Sequence, residues 1–158
     1  MIKAYKILYV SVMIAVVALM SGCTRNNGDI GNLFGRWKVD TLTADGVGLP
    51  LYGDDSADDA QLYAFWFQGS LVWIHTVYPH QDYITVKGMW TRTETRLLLN
   101  FSHTGNDGEM YYTPPAALHL VARGVTPLTV ESESSSRMHL WYVADSGIRY
   151  DYYLSKVY

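Results

Sequence analysis

Gly35-Arg36-Trp37-Lys38-Val39-Asp40-Thr41 decides the reading of this chain, because large apolar and charged side chains alternate along it. Trp37, Val39 and Thr41 fall on one face and Lys38 and Asp40 on the other, the period-two pattern of a strand buried on one side. The far end of the sequence carries the same pattern, with Ile148, Tyr150, Tyr152 and Leu154 opposing Arg149, Asp151, Tyr153 and Ser155. Both terminal segments of the domain therefore read as one-sided strands.

Between them, short runs of strand type are separated by turn residues. Strands are predicted near Arg36–Thr43, Tyr63–Gln68, Leu71–Tyr78, Tyr83–Trp90, Arg96–His103, Ala117–Ala122, Pro127–Glu133, Met138–Ala144 and Ile148–Lys156. Gln68-Gly69-Ser70 and Asp145-Ser146-Gly147 have hairpin-turn composition, and Thr104 to Gly108 has that of a wider loop. No amphipathic helical stretch exceeds a turn or two. Leu71–Tyr78 is apolar on both faces, whereas Phe65 with Phe67, Leu97 with Leu99 and Phe101, and Met138 with Leu140 and Tyr142 form single-face sets. Eight or nine consecutive antiparallel strands make a meander, which closes as a barrel or leaves edges that must be protected. The composition agrees: 158 residues suit one domain, and 14% aromatic against 17% charged residues favours a β-rich globular chain over disorder.

The N-terminus has a different character. Lys3 and Lys6 precede an uncharged apolar run from Ile7 to Met20, which ends in Leu19-Met20-Ser21-Gly22-Cys23. A charged, an apolar and a small-residue region in that order make an export signal, here residues 1–22, and the apolar run is shorter than a membrane span. The last five residues resemble the bacterial lipobox, which implies cleavage before Cys23 and acylation of its thiol, by palmitate or a similar chain. An N-terminal anchor helix with an incidental cysteine is the alternative. Two or three acyl chains hold a protein to a bilayer stably, so such a lipoprotein needs no transmembrane helix. Residues 23–32, polar and Gly-rich after the cysteine, read as a tether. Thr24 rather than Asp follows Cys23, so the best-known inner-membrane retention signal is missing, and the outer membrane of the cell envelope is the expected location.

Residues 33–158 are the expected barrel domain, and here a second resemblance enters. Gly35-Arg36-Trp37 after Leu33-Phe34 resembles the Gly-x-Trp opening of lipocalins. Phe65-x-Phe67-x-Gly69, Tyr83-x-Thr85-x-x-Gly88 and Tyr152-Tyr153-Leu154-Ser155-Lys156 are similar to later segments of the lipocalin-like domains of bacterial envelope lipoproteins. The resemblance implies an eight-stranded up-and-down barrel in which Trp37 closes one end and a basic side chain covers its ring. Lys156 is the expected cation, because antiparallel terminal strands bring the end of the last opposite the start of the first, while Arg149 lies nearer the other rim. Two features depart from the family: the acidic insertion from Leu49 to Gln61, and the lack of a Cys pair tying down the C-terminus.

Candidate chemistry is sparse. The net charge is −3 with no basic cluster, which argues against nucleic acid as a partner. One cysteine excludes an intrachain disulfide. His75, His80, His103, His119 and His139 have no close ligand spacing, and Asp54, Asp55, Asp58 and Asp59 lack the pattern of a calcium loop, so no metal or cofactor is expected. Asp40-Thr41-Leu42 and Asp55-Ser56-Ala57 resemble a short O-glycosylation motif of some bacterial envelopes. No Ser stands in a nucleophile elbow and no glycine loop cradles phosphate, so an enzyme is not expected.

Two readings of function remain open at this point. In the first, the barrel holds a small hydrophobic or amphipathic ligand against Phe65, Phe67, Leu99, Phe101, Leu140 and Tyr152. In the second, the barrel is filled, and outward aromatics such as Trp66, Trp73, Trp141 and Tyr153 meet a protein or glycan of the envelope.

Overall fold

The computed structural model describes residues 31–51, 62–77, 84–103 and 112–157. The predicted signal segment, Cys23, most of the predicted tether, Asp54, Asp55, Asp58, Asp59, His80 and the predicted Thr104–Gly108 loop lie outside the described residues. No helix among the described residues is long and apolar enough to cross a membrane.

Among the described residues, nine strands form one antiparallel sheet: β1 (Gly35–Ala44), β2 (Val47–Gly48), β3 (Leu62–Gln68), β4 (Leu71–Val77), β5 (Ile84–Arg92), β6 (Arg96–Asn100), β7 (Val125–Glu133), β8 (Arg137–Val143) and β9 (Arg149–Val157). From β3 onward each strand pairs with the next, and β1 pairs with both β3 and β9. Eight strands thus close into an up-and-down barrel, with β2 as a short extra strand on β1. Closure runs from Arg36↔Val157 to Ala44↔Tyr150, so the two terminal strands share a long seam and leave neither as an open edge.

Alternation holds along most strands. Phe65 and Phe67, Val72 and Ile74, Leu97 and Leu99, and Tyr150, Tyr152 and Leu154 are all buried. The same side of β4 points inward although both of its faces are apolar, because the neighbouring strands fix its register at Phe65↔Ile74 and Ile74↔Val86.

Two local expectations are corrected, and one short strand is added. First, Thr41 does not share the inner face with Trp37 and Val39. Val39 and Thr41 oppose the consecutive residues Leu154 and Tyr153, so Asp40 is the extra residue of a β-bulge. Past it the alternation shifts by one: Leu42 is buried and Thr41 exposed. Second, Ala117–Ala122 is not a strand. Ala116–Leu118 forms a 3-10 turn, entered through Pro114-Pro115 and ended by His119 in the left-handed conformation at φ 51°. Pro115 has no N–H for a ladder, and a left-handed residue breaks extension, so an alternating run this short does not make a strand. The added strand, β2, follows Asp45-Gly46, whose φ angles of 47° and 82° make a two-residue hairpin turn of the primed type.

Candidate functional site

Six side chains singled out from the sequence pack together inside the barrel. Phe65, Phe67, Leu99, Phe101, Leu140 and Tyr152 all lie on the inner face, and none is more than 1% exposed. A hollow wide enough for water beside any of them would leave part of its surface accessible. The rings pack on one another instead: Phe65 stacks on Phe67 at 6.2 Å, Phe67 meets Trp90 edge-on at 5.8 Å, and Tyr142 stacks on Tyr152 at 6.4 Å.

Among the described residues, each end of the barrel carries a 3-10 turn that buries a leucine. At the end where β1 begins, Gly31–Leu33 precedes the strand and buries Leu33 to 1%. The fully buried Trp37 donates its indole N–H to the Leu33 carbonyl at 2.8 Å. Lys156 Nζ stands 5.2 Å from the Trp37 ring centroid and donates to the Asn32 carbonyl at 2.8 Å. Gly35 is held at φ +115°, and a Cβ there would approach Lys156 Cε to 3.1 Å. Its glycine suits the backbone angle and the lysine together. Arg92 and Glu133, 2.6 Å apart, lie on the inner-facing positions of their strands at the same end.

At the opposite end Leu118, fully buried, descends from Ala116–Leu118. Tyr152 donates its hydroxyl to the Leu118 carbonyl at 2.7 Å, and Tyr142 donates to the His119 carbonyl. Burial, reinforced by Tyr142 and Tyr150, pushes the Tyr152 hydroxyl far above its ordinary value, so it stays a donor across the physiological range. This turn is the structural element that the strand pattern of the sequence did not reveal. Its signal was the pair Pro114-Pro115 and the following Gly124, which punctuate the segment more densely than a strand allows.

The outer wall carries two clusters of aromatic and charged side chains. In one, Arg36, Trp66, Trp73 and Lys87 face one another across β1, β3, β4 and β5. Trp66 and Trp73 tilt at 6.0 Å, Lys87 Nζ lies 4.9 Å over the Trp73 ring, and His75 meets Trp66 edge-on at 5.4 Å. Burial and, secondarily, the Arg36 charge lower the pKa of His75. In the other, Arg149 stacks over Trp141 at 4.3 Å and grips Asp151 through Nε and Nη2, at 3.0 and 2.7 Å. His139 Nε2 reaches the same carboxylate at 2.9 Å, and its ring stacks on Tyr153 at 4.3 Å. Burial alone would raise the Asp151 pKa, but the bonds and charges of Arg149 and His139 outweigh it and hold the carboxyl below its ordinary range. Trp141 donates to Glu131, itself the extra residue of a second bulge. Among the described residues, no three His, Cys, Asp or Glu side chains converge as a metal site.

The closed eight-stranded meander is similar in fold to solved structures over most of the chain. One is a lipocalin-like protein from Bacteroides uniformis, with a TM-score of 0.53 and 18% identity, covering 80% of this chain and all of that one. The fold is lipocalin-like. An uncharacterized protein from Bacteroides eggerthii is similar to the same degree, with a TM-score of 0.53 and 15% identity over 78% of this chain and 98% of that one. No protein-family model matches the chain, and no curated protein matches it either. Within this lipocalin-like barrel, the residues expected to line a ligand site are core.

Proposed function

We propose that this chain is a lipid-anchored, lipocalin-like protein of the bacterial envelope that works through its outer surface, with a filled barrel as scaffold and no catalytic activity. The observation that carries this reading is the interior: Phe65, Phe67, Leu99, Phe101, Leu140 and Tyr152 are each at most 1% exposed, and Leu33 and Leu118 are buried at its two ends. What the molecule offers to a partner lies outside. Trp66, Trp73, Trp141 and the 43%-exposed Tyr153 stand among arginine, lysine, histidine and carboxylate groups, the mixture that protein and glycan interfaces favour.

Attachment rests on the order Lys3, Lys6, apolar run and Leu19-Met20-Ser21-Gly22-Cys23, and the outer membrane on Thr24 in place of Asp. Replacing Cys23 with Ser should move the protein from the membrane to the soluble fraction and abolish labelling by a clickable palmitate analogue. Persistent labelling would sink the lipid anchor. For the partner, a photo-crosslinking amino acid at Tyr153 in living cells should give one discrete adduct. Native mass spectrometry that finds a stoichiometric lipophilic molecule inside the barrel would overturn the reading in favour of ligand carriage.

A further inference from the structure

The seam between β5 and β6 is short. These strands pair only from Met89↔Asn100 to Arg92↔Leu97, whereas β4 and β5 pair from Leu71↔Met89 to Thr76↔Ile84. Beside the end of that ladder lies a pocket of about 260 Å³, lined by Leu71, Lys87, Gly88, Met89, His103 and Tyr112. It is separate from the barrel core, whose ligand-candidate residues do not line it.

Its walls differ in chemistry. Leu71 and Met89 are register partners and leave 40% and 53% of their surfaces exposed, an apolar pair that a buried partner would desolvate. His103 meets Tyr112 edge-on at 5.0 Å and makes an aromatic wall. Gly88 keeps part of the lining as bare backbone: a Cβ there would lie 2.5 Å from the Phe101 ring, so the barrel core excludes any larger residue. Lys87 supplies the charge. Its ammonium rests on the face of Trp73, whose indole N–H is buried without an acceptor. A cation–π contact leaves ammonium protons for an anion.

We propose that this pocket binds a soluble single-tailed carboxylate, with its alkyl chain against Leu71, Met89 and Tyr112 and its head on Lys87. The size sets the class. Pockets for drug-sized ligands measure roughly 300–1,000 Å³, so one just below that range suits one medium-length chain better than a fused-ring or two-tailed lipid. The single positive group sets the head. This site goes beyond the surface-acting reading above and does not depend on the identity of the macromolecular partner.

The test uses the full lipidated chain in nanodiscs and a clickable diazirine decanoate, with crosslinks mapped by peptide mass spectrometry. Labelling should fall on the peptides carrying Leu71, Met89 or Tyr112, and be competed by decanoate but not by decylammonium. Lys87→Glu should weaken competition about tenfold, the loss of roughly one charge-assisted contact. Met89→Arg should abolish labelling, while a circular dichroism spectrum like that of the parent certifies the fold. Labelling that neither substitution changes, or that decylammonium competes equally, overturns the carboxylate site. Labelling that moves to peptides of Leu140 and Tyr152 overturns it too, and would also count against the filled interior; loss of the Tyr153 crosslink alone would leave this site untouched.

Discussion

Trp37 shows how much one residue does for this barrel. Its ring is fully buried, its N–H is spent on the Leu33 carbonyl, and the Lys156 ammonium covers its face. Trp37→Ala empties a core position and leaves that carbonyl without its donor, so it should cost about 3–5 kcal/mol in urea-induced unfolding. Lys156→Ala should cost less, on the order of 1–2 kcal/mol, because only a partly desolvated cation–π contact and the packing of the stem are lost. Equal losses would mean that the lysine, not the ring, holds this end. Asp151 adds a pH dependence. Its carboxyl has a folded pKa below the unfolded one, so its contribution to stability is complete above the ordinary carboxylate range and disappears as pH falls through the folded value. Asp151→Asn should therefore flatten the acid limb of the stability curve, measured by unfolding between about pH 6 and pH 2 against the parent.

At the scale of elements, the strands were legible where alternation was strict and bounded by turns, as in Phe65-x-Phe67 before Gly69 and in Tyr150 to Leu154. The bulge was not legible. Asp40 reads as one more outward charge, and nothing local says that two residues of β1 oppose one step of β9; the constraint comes from the partner strand. The short strand β2 was announced by Asp45-Gly46, a hairpin signal that the long acidic segment after it obscured. The bulge yields a sharp expectation. Removing Asp40 leaves Trp37, Val39 and Leu42 facing inward in a regular ladder, so that deletion should fold, losing only the bulge with its bond from Ser155 and its ion pair with Lys38. Removing Lys38 instead slips the register within the regular part and turns Trp37 or the whole following strand outward. That deletion should leave no cooperative unfolding transition. If both deletions unfold the protein alike, Asp40 is not a spare residue.

For the whole molecule, closure runs around the barrel wall, and the β1–β9 seam removes the edges, while two leucine-bearing turns pack into the ends. Inward-facing apolar residues alone did not distinguish a filled barrel from a hollow one, because both present the same alternation; the decision lies in the volume of Phe, Tyr and Trp rings against one another. The plug at Leu118 is the accessible place to test that decision. With the pocket beside Met89 saturated by decanoate, wild-type protein should give no fluorescence enhancement with a lipophilic naphthylamine dye, since the packed inner side chains offer it no room. Leu118→Ala alone should cost about 2–5 kcal/mol, as a truncated core leucine does, and leave the interior still occupied. Combining it with Leu140→Ala removes a side chain from the interior as well as from its mouth, and apolar cavities of this kind stay dry and accept small apolar guests. The double variant should therefore gain dye binding while retaining its β-sheet circular dichroism. Dye uptake by the wild type, suppressed by filling the interior with Leu140→Trp, would show instead that the barrel opens to ligands, and that Ala116–Leu118 is a lid and not a fixed plug.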